Sequence, residues 1–547
     1  MNLRFFIAFL IITFLFSWEL YYAQEVEIYE KYSSDFGEIN QEIFQKPLVN
    51  VLSYNIDLVI NVQDRSFSAG ALINLLITSQ NVQDSICFSL DKNIMVKEIE
   101  CDGNVVKKWE VEREPGKSNK SLIYKFYYPF SKLEIRSKRE IKIKINYIGK
   151  IESEEKRKSQ DFLEFGANFN WYPFVNSRTN FRYLLNIGID RKYSIVSPAS
   201  IIREIRKDNI EYYTLQLNEP VSQIVFLALT GMKKNEKKYS DGTYITVYYK
   251  KLPSLEVSRI FIEIEWILGF YFDRFVRVKK EKNITAVFLP RTGRFYAYCP
   301  SFFVFPENEI KGELRDWKEY RIIFHHMCSK IAHFWWENCS TDWLEEGLCG
   351  YFSIYAIETM YGYDEEMRYM NIYEKNVLNL GKELSAISKD LNFIDKEIIF
   401  KQKVPFVLRM LSFYVGNVKF KGMIKELAEH SVSNNFNEDY FRKTAEKYYG
   451  STLRWFFNQW FENSDIPRIK FDYKIEAMPD GGYKILFNIE QFCKRDFILE
   501  IVFVINFEES FEYRKIILAK KQMKFTLLYM ERPVSVIFDK DNYVINR

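Results

Sequence analysis

The sequence predicts a multidomain α+β protein in which an N-terminal all-β domain, a mainly helical domain and a small C-terminal β-sandwich follow one another along the chain. Three changes of period predict this order. Apolar and polar residues alternate from about Val51 to Gly231, apolar residues recur every three or four positions from Ser254 to Phe461, and alternation returns after Ile466-Pro467. The composition belongs to folded domains: of 547 residues, 47% are hydrophobic and 17% aromatic, with only 21 Gly and 14 Pro, which excludes disorder and collagen-like repetition.

Taken in order, Arg4 precedes an apolar run from Phe5 to Trp18, after which Glu19 opens a polar stretch. Such a run matches the core of a secretory signal and is short for a membrane span. Residues 1–23 are therefore expected to be a signal peptide cleaved after Ala23, and the protein to be exported, extracellular or periplasmic. Left uncleaved, residues 5–18 would tether it to a membrane. In the β domain, 24–232, the stretches Tyr54–Val62, Gly70–Thr78, Ile141–Tyr147, Phe181–Ile189 and Ile224–Leu229 read as strands, with Asp102-Gly103 as a turn. The basic clusters Lys156-Arg157-Lys158, Lys233-Lys234 and Lys237-Lys238 have acids among or beside them and read as solvated loops. The charged stretch from Lys233 to Asp241 reads as a boundary. In the helical domain, 240–465, Ile260, Ile264, Ile267 and Leu268 form one face, and helices are expected over Trp317–Trp336, Trp343–Met360, Pro405–Val415, Phe420–His430 and Tyr440–Phe461. In 468–547 the alternating runs around Phe471, Ile485 and Phe497–Val504 read as a β-sandwich.

Charge and cysteine usage exclude several functions. Basic residues number 77 and acidic residues 73, a net +4, so the electrostatic argument for nucleic-acid binding is missing. Seven cysteines without a Cys-x-x-Cys pair make neither a disulfide scaffold nor a zinc ribbon. One or two disulfides would suit an exported chain, and the spacing does not choose the pairing. There is no Gly-x-Ser-x-Gly elbow and no phosphate-binding Gly-x-x-x-x-Gly-Lys loop. A Cys–His nucleophile built on Cys328 or Cys339 has no supporting flanks.

The chemistry-bearing residues concentrate in one place. The chain has four histidines, and three of them, His325, His326 and His333, lie in the helix expected over Trp317–Trp336; His430 is the fourth. Glu346 follows His333 across a spacer of 12 residues, inside Trp343-Leu344-Glu345-Glu346-Gly347. Histidine on one helix with glutamate on the next is the frame of a gluzincin zinc site, which needs two His at i and i+4, a general-base Glu after the first, and a later Glu as third ligand. Ser329-Lys330-Ile331-Ala332-His333-Phe334-Trp335-Trp336-Glu337-Asn338 resembles the His-Glu-Leu-Ala-His-Gln-Trp-x-Gly-Asn of the aminopeptidase N family, and Trp343–Leu348 resembles its Trp-Leu-Asn-Glu-Gly-Phe. Tyr54–Thr78, Trp171-Tyr172-Pro173-Phe174, the Tyr193–Val196 and Val225–Gly231 runs, Lys403–Leu411, Phe457–Trp460 and Ile466-Pro467 are similar to family segments in the same order. The resemblance implies a saddle-like N-terminal β domain, a thermolysin-like domain and a β-sandwich; the family's large C-terminal helical domain has no counterpart in this length.

The same resemblance implies that the catalyst is lost. Ser329 stands where the first zinc His belongs and Lys330 where the general base belongs, leaving His333 and Glu346 as remnant ligand positions. The transition-state Tyr falls on Lys401, beside Phe400. The family's amine-anchoring Gly-Ala-Met-Glu-Asn loop falls on Arg294–Tyr298, with no acid before Glu307. One His, one Glu and a Ser are too few strong donors for zinc, and Lys330 adds an ammonium beside the ion. His326 is seven residues from His333, about 10.5 Å along a helix axis, too far for both rings to share one ion without bending. Without a metal, Glu346 needs another cation, and Lys330 is expected to pair with it. The sequence thus predicts an exported aminopeptidase N-like protein without zinc or peptidase activity that holds a peptide or protein partner. The alternative is an active zinc metallopeptidase with a non-standard ligand set.

Overall fold

In the computed structural model of the protein, alternation does what the period predicts: Tyr54, Ile56, Leu58 and Ile60 of the strand Val49–Asn61 face the core, with Ala71, Ile73 and Leu75 of Ser66–Ile77 beside them. The structure describes residues 49–546 apart from 78–84, 114–120, 128–138, 152–160, 167–168, 176–179, 222, 240–241, 276–282, 291–295, 300, 308–316, 337, 381–383, 389–390, 392, 435 and 480. The expected signal segment, residues 1–23, and the cluster Lys156-Arg157-Lys158 lie outside the described residues. Among the described residues no helix is long and apolar enough to cross a membrane.

The described residues of Asn40–Glu265 and Lys279–Ile322 form one compact unit, and those of Trp266–Val278 and Ile323–Arg547 another. The first unit is β-rich. Its largest sheet has eight strands in the order Ser200–Lys207, Ile210–Val221, Phe181–Asp190, Val49–Asn61, Ser66–Ile77, Arg139–Lys150, Ile94–Cys101 and Asn104–Val105. The expected turn is present: Asp102 and Gly103 take positive φ of 48° and 81°, the left-handed backbone that a two-residue hairpin loop requires. Under the sheet, the Tyr54 hydroxyl donates to the Pro173 carbonyl at 2.9 Å, and Trp171 is fully buried.

A five-stranded sheet in the same unit corrects two expectations. Its order is Lys233–Lys238, Tyr244–Tyr249, Asn283–Leu289, Phe302–Pro306, Tyr296–Cys299, with parallel pairing among the three central strands. Lys233–Lys238, expected as a solvated loop, is an edge strand with every residue exposed, so it carries no apolar alternation to read. Phe302–Pro306 is buried throughout, and a strand covered on both faces has no period of two.

The second unit holds most of the helical layer. Helix α1 (Ser254–Arg274) runs from the first unit into the second. It is followed by α2 (Trp317–Trp336), α3 (Asp342–Tyr361), α4 (Tyr363–Asn379), α5 (Phe393–Ile398), α6 (Val404–Val415), α7 (Asn417–Ser433), α8 (Glu438–Tyr449) and the short α9 (Arg454–Phe457). The sequence reading misses α4, whose buried stripe mixes Glu365, Glu366, Tyr369 and Tyr373 with only Met370 and Val377 as non-aromatic apolar residues. The helix expected over Tyr440–Phe461 is two helices, because the chain turns left-handed at Gly450, φ 92°. The last strands form two three-stranded sheets around Ile485, Phe487, Phe503 and Ile505. They dock on the helices through polar clasps: the Gln459 amide bonds both the N–H and the C=O of Ile498, and the Glu500 N–H donates to the Tyr414 hydroxyl at 2.8 Å. Among the described residues, Cys87, Cys101, Cys328, Cys339, Cys349 and Cys493 are in no disulfide.

A buried arginine ties the chain's last turn to this layer. Arg409 on α6 donates to Glu366 Oε1 at 2.7 Å and to the carbonyls of Asp541 and Asn542 at 3.0 and 3.1 Å, and lies 4.5 Å from the Tyr543 ring. Arg409→Met is expected to destabilise the unit by about 3–5 kcal/mol, because Glu366 is left buried without its cation. Adding Glu366→Gln should recover much of that loss in urea unfolding; no recovery would mean that lost packing, not the stranded charge, sets the effect.

Candidate active site

Two glycines set the geometry of the candidate site. A Cβ on Gly347 would meet Val404 Cγ1 at 2.2 Å, and one on Gly350 would meet Pro405 Cγ at 2.6 Å. Helix α3 therefore lies hard against the start of α6, which any side chain at these two positions would push away. The chain enters α6 through a π-helical turn, Ile399–Lys403, in which the Val404 N–H reaches back to the Ile399 carbonyl. Pro405 has no N–H and crowds the carbonyl four residues before it, that of Lys401, so a wide turn at this point is what the proline demands. Lys401 is thereby brought near the first turn of α3.

On α2, Lys330 and His333 stand one turn apart and face that first turn. Lys330 Nζ lies 3.7 Å from Glu346 Oε1 and 3.5 Å from His333 Nε2, and His333 Nε2 lies 3.8 Å from Glu346 Oε2. The ion pair expected from the sequence is present. Glu346 is only about a quarter exposed (23%), and its Oε2 has no hydrogen-bond partner. Burial would raise its pKa, but Lys330, His333 and Lys401 outweigh burial and hold it down at about 2. Lys401 bonds Glu397 at 2.6 Å; burial pushes its ammonium down, while Glu346 and Glu397 more than offset this and raise it.

Glu345 is a participant that the sequence reading does not single out. Its Oε1 lies 2.8 Å from His333 Nδ1. Glu345 thus orients the imidazole through Nδ1, and the Lys330 ammonium lies 3.5 Å from Nε2. The signal was an acidic pair in the first turn of a helix that follows a histidine-bearing helix.

The remaining histidines are structural. His325 Nε2 is within 2.9 Å of the Tyr373 hydroxyl and 3.0 Å of Ser353 Oγ, and its ring stacks on Tyr369. Burial first, then His326 and Arg368, press its pKa down to about 3; burial, Lys330 and Lys401 press that of His326 to about 4. His430 stacks on Tyr440 at 4.0 Å. The thiol alternatives are equally closed: Cys328 is fully buried, and burial pushes Cys339 up to about 12. Glu307, the first acid after the expected anchor loop, is committed elsewhere in the β-rich unit, where its Oε1 accepts the backbone N–H groups of Lys250, Lys251 and Leu252. Of that loop, Arg294 and Phe295 lie outside the described residues.

The donor set does not fit zinc. Ser329 is a weak donor, an ammonium stands between the two strong ones, and among the described residues no group of three or more His, Cys, Asp or Glu is disposed to hold a metal.

No protein-family model matches the chain, and no curated protein does. Among solved structures, Legionella pneumophila aminopeptidase A, determined in complex with aspartic acid, is similar with a TM-score of 0.71 at 12% identity, over 92% of this chain and 60% of that one. The chain therefore spans about 60% of the length of the solved relative. The likeness shows the fold: this is a multidomain α+β protein with an aminopeptidase-like architecture, a large β-rich N-terminal region and a helical middle.

The ion pair makes two measurable demands. Lys330→Ala should destabilise the unit by about 1–3 kcal/mol, the range for stranding a part-buried group, and Glu346→Gln should restore much of it; coupling below about 0.5 kcal/mol in the double-mutant cycle, the additivity noise, would remove the pairing as a stabilising element. The pH response has a definite sign. Glu346 is held below its unfolded range near 4.3, so its contribution is full above that pH and is lost as pH falls toward about 2. His325 is held below 6.5, so the unfolded chain binds the extra proton and stability falls from about pH 6.5 toward about 3. Urea midpoints should therefore drop on acidification from pH 7 to pH 4, and less so in His325→Phe; an equal drop in that variant would locate the acid sensitivity elsewhere.

Proposed function

We propose that this protein is an exported aminopeptidase N-like pseudoenzyme that has lost zinc and peptidase chemistry and serves to bind a peptide or protein. The observation that carries this reading is the Lys330 ammonium, 3.7 Å from Glu346 Oε1 and 3.5 Å from His333 Nε2, beside the two remnant ligand positions. A water-activating carboxylate is missing because its position is Lys330 itself. The oxyanion-stabilising hydroxyl is missing because its position is Lys401, an ammonium engaged with Glu397. What is left is a fold that positions these side chains without a catalyst. Export rests on the apolar run Phe5 to Trp18 after Arg4. The sheet ending at the strand Tyr296–Cys299 offers a backbone edge to which an extended peptide can add.

Metal analysis of the purified protein tests the reading directly: substoichiometric zinc is expected, and one zinc per chain with peptide hydrolysis would establish the active metallopeptidase instead. Repair tests it from the other side. Ser329→His with Lys330→Glu rebuilds two His and a Glu as ligands and should bring zinc affinity up from the background of the parent. Aminopeptidase turnover should stay near background, since Lys401 remains. Robust turnover in that double variant would sink the claim that Lys401 is an independent lesion.

A further inference from the structure

The β-rich unit carries an open sheet edge whose chemistry is unusual for an edge. The strand Ser200–Lys207 ends the eight-stranded sheet and pairs only with Ile210–Val221 among the described residues. All eight of its residues are exposed. Folded proteins commonly guard such an edge with charge, a bulge or proline. This strand has a register irregularity between Ile201 and Arg203, yet it also leaves Ile201, Ile202 and Ile205 bare at 45%, 55% and 40% exposure. Three exposed isoleucines on an edge invite pairing rather than prevent it.

The register says which side chains an added strand would meet. Directly opposed residues share a face, so Arg203, Ile205 and Lys207 lie on one face with Thr214, Tyr212 and Ile210. Along the edge that face reads cation, apolar, cation at alternate positions, and the exposed Tyr212 ring flanks the central Ile205. We propose that this edge is a docking site for an extended acidic segment of another protein, which adds as a ninth strand and places acid, apolar and acid side chains at alternate positions against Lys207, Ile205 and Arg203. The pattern reads the same in both directions, so it holds for parallel or antiparallel addition.

A second copy of the chain fits less well. Antiparallel self-pairing about Ile205 sets Glu204 against Arg206 twice and Arg203 against Lys207 twice, and Arg206 is already engaged by Glu211 at 3.1 Å. Attraction and repulsion cancel, whereas an acidic strand meets both outward cations. The inference does not rest on the reading of the emptied site, because none of these residues belongs to that cluster.

The test uses the full chain and a capped fluorescent peptide with a Glu-Thr-Val-Thr-Glu core, followed by anisotropy. Saturable binding is expected, weakened at least tenfold by Arg203→Glu with Lys207→Glu, and weakened likewise when the peptide's edge-facing amides are N-methylated. The same charge-reversed variant should gain affinity for a Lys-Thr-Val-Thr-Lys peptide, which also shows that it is folded. Absence of binding at about 1 mM peptide, weaker than any useful recognition, or equal binding of the N-methylated peptide, would overturn the proposal. So would a dimeric parent that becomes monomeric in Ile205→Lys, since the edge would then belong to a second copy.

Discussion

Glu346 lies on the buried side of a helix that two glycines press against the next segment, and a carboxylate held there has to meet positive charge. The close approach is steric: Gly347 and Gly350 leave no room for a Cβ against Val404 and Pro405. The charge that answers it comes from Lys330 on α2 and from Lys401 at the π turn before α6. The rest of the cluster depends on that answer. Glu345 lies 2.8 Å from His333 Nδ1 and Lys330 3.5 Å from its Nε2, while burial first, and then the same two lysines, keep His326 neutral. The cluster is a closed electrostatic unit joining α2, α3 and the π turn, with ammonium groups facing its carboxylates.

An ammonium is a poor substitute for zinc in chemistry and an adequate one in stability. It supplies a single charge at 3.5–3.7 Å where a metal would bind at roughly 2.0–2.1 Å, so it can neither polarise a carbonyl nor lower the pKa of a bound water appreciably. Holding a carboxylate ionised asks much less. Lys330, His333 and Lys401 together overcome burial and keep Glu346 charged down to about pH 2.

The parts of this protein legible in the sequence are those whose pattern has one physical meaning. Alternation with one buried face gave the strands Val49–Asn61, Ser66–Ile77 and Phe181–Asp190, and the His-bearing segment was read as a helix with the same limits it has in the structure, Trp317–Trp336. The parts that were not legible have patterns that burial erases or that polar residues imitate. Phe302–Pro306 is buried on both faces and shows no alternation, Lys233–Lys238 is exposed on both and looks like a loop, and α4 buries glutamates and tyrosines whose partners, such as Arg409 for Glu366, are remote in sequence. In the candidate site the Lys330–Glu346 pairing could be reasoned from charge alone. The role of Glu345 could not, because it depends on which of two adjacent acids on α3 reaches His333 Nδ1 on the neighbouring helix, a matter of helix packing that charge alone does not decide.

The positions around the site divide by what else they do. Asn338 donates to the Ser431 carbonyl on α7 at 2.8 Å, the Trp343 indole donates to Glu438 on α8 at 2.7 Å, and Gly347 and Pro405 govern the approach of α3 to α6. Each of these matches the pattern of the resemblance, and each would damage packing or strand a buried polar group if replaced. Ser329, Lys330 and Lys401 depart from the pattern, and at these positions a catalytic group would touch only the ion, the water or the substrate. Glu346 is tied to the fold by its burial, and it stays ionised because Lys330, His333 and Lys401 face it.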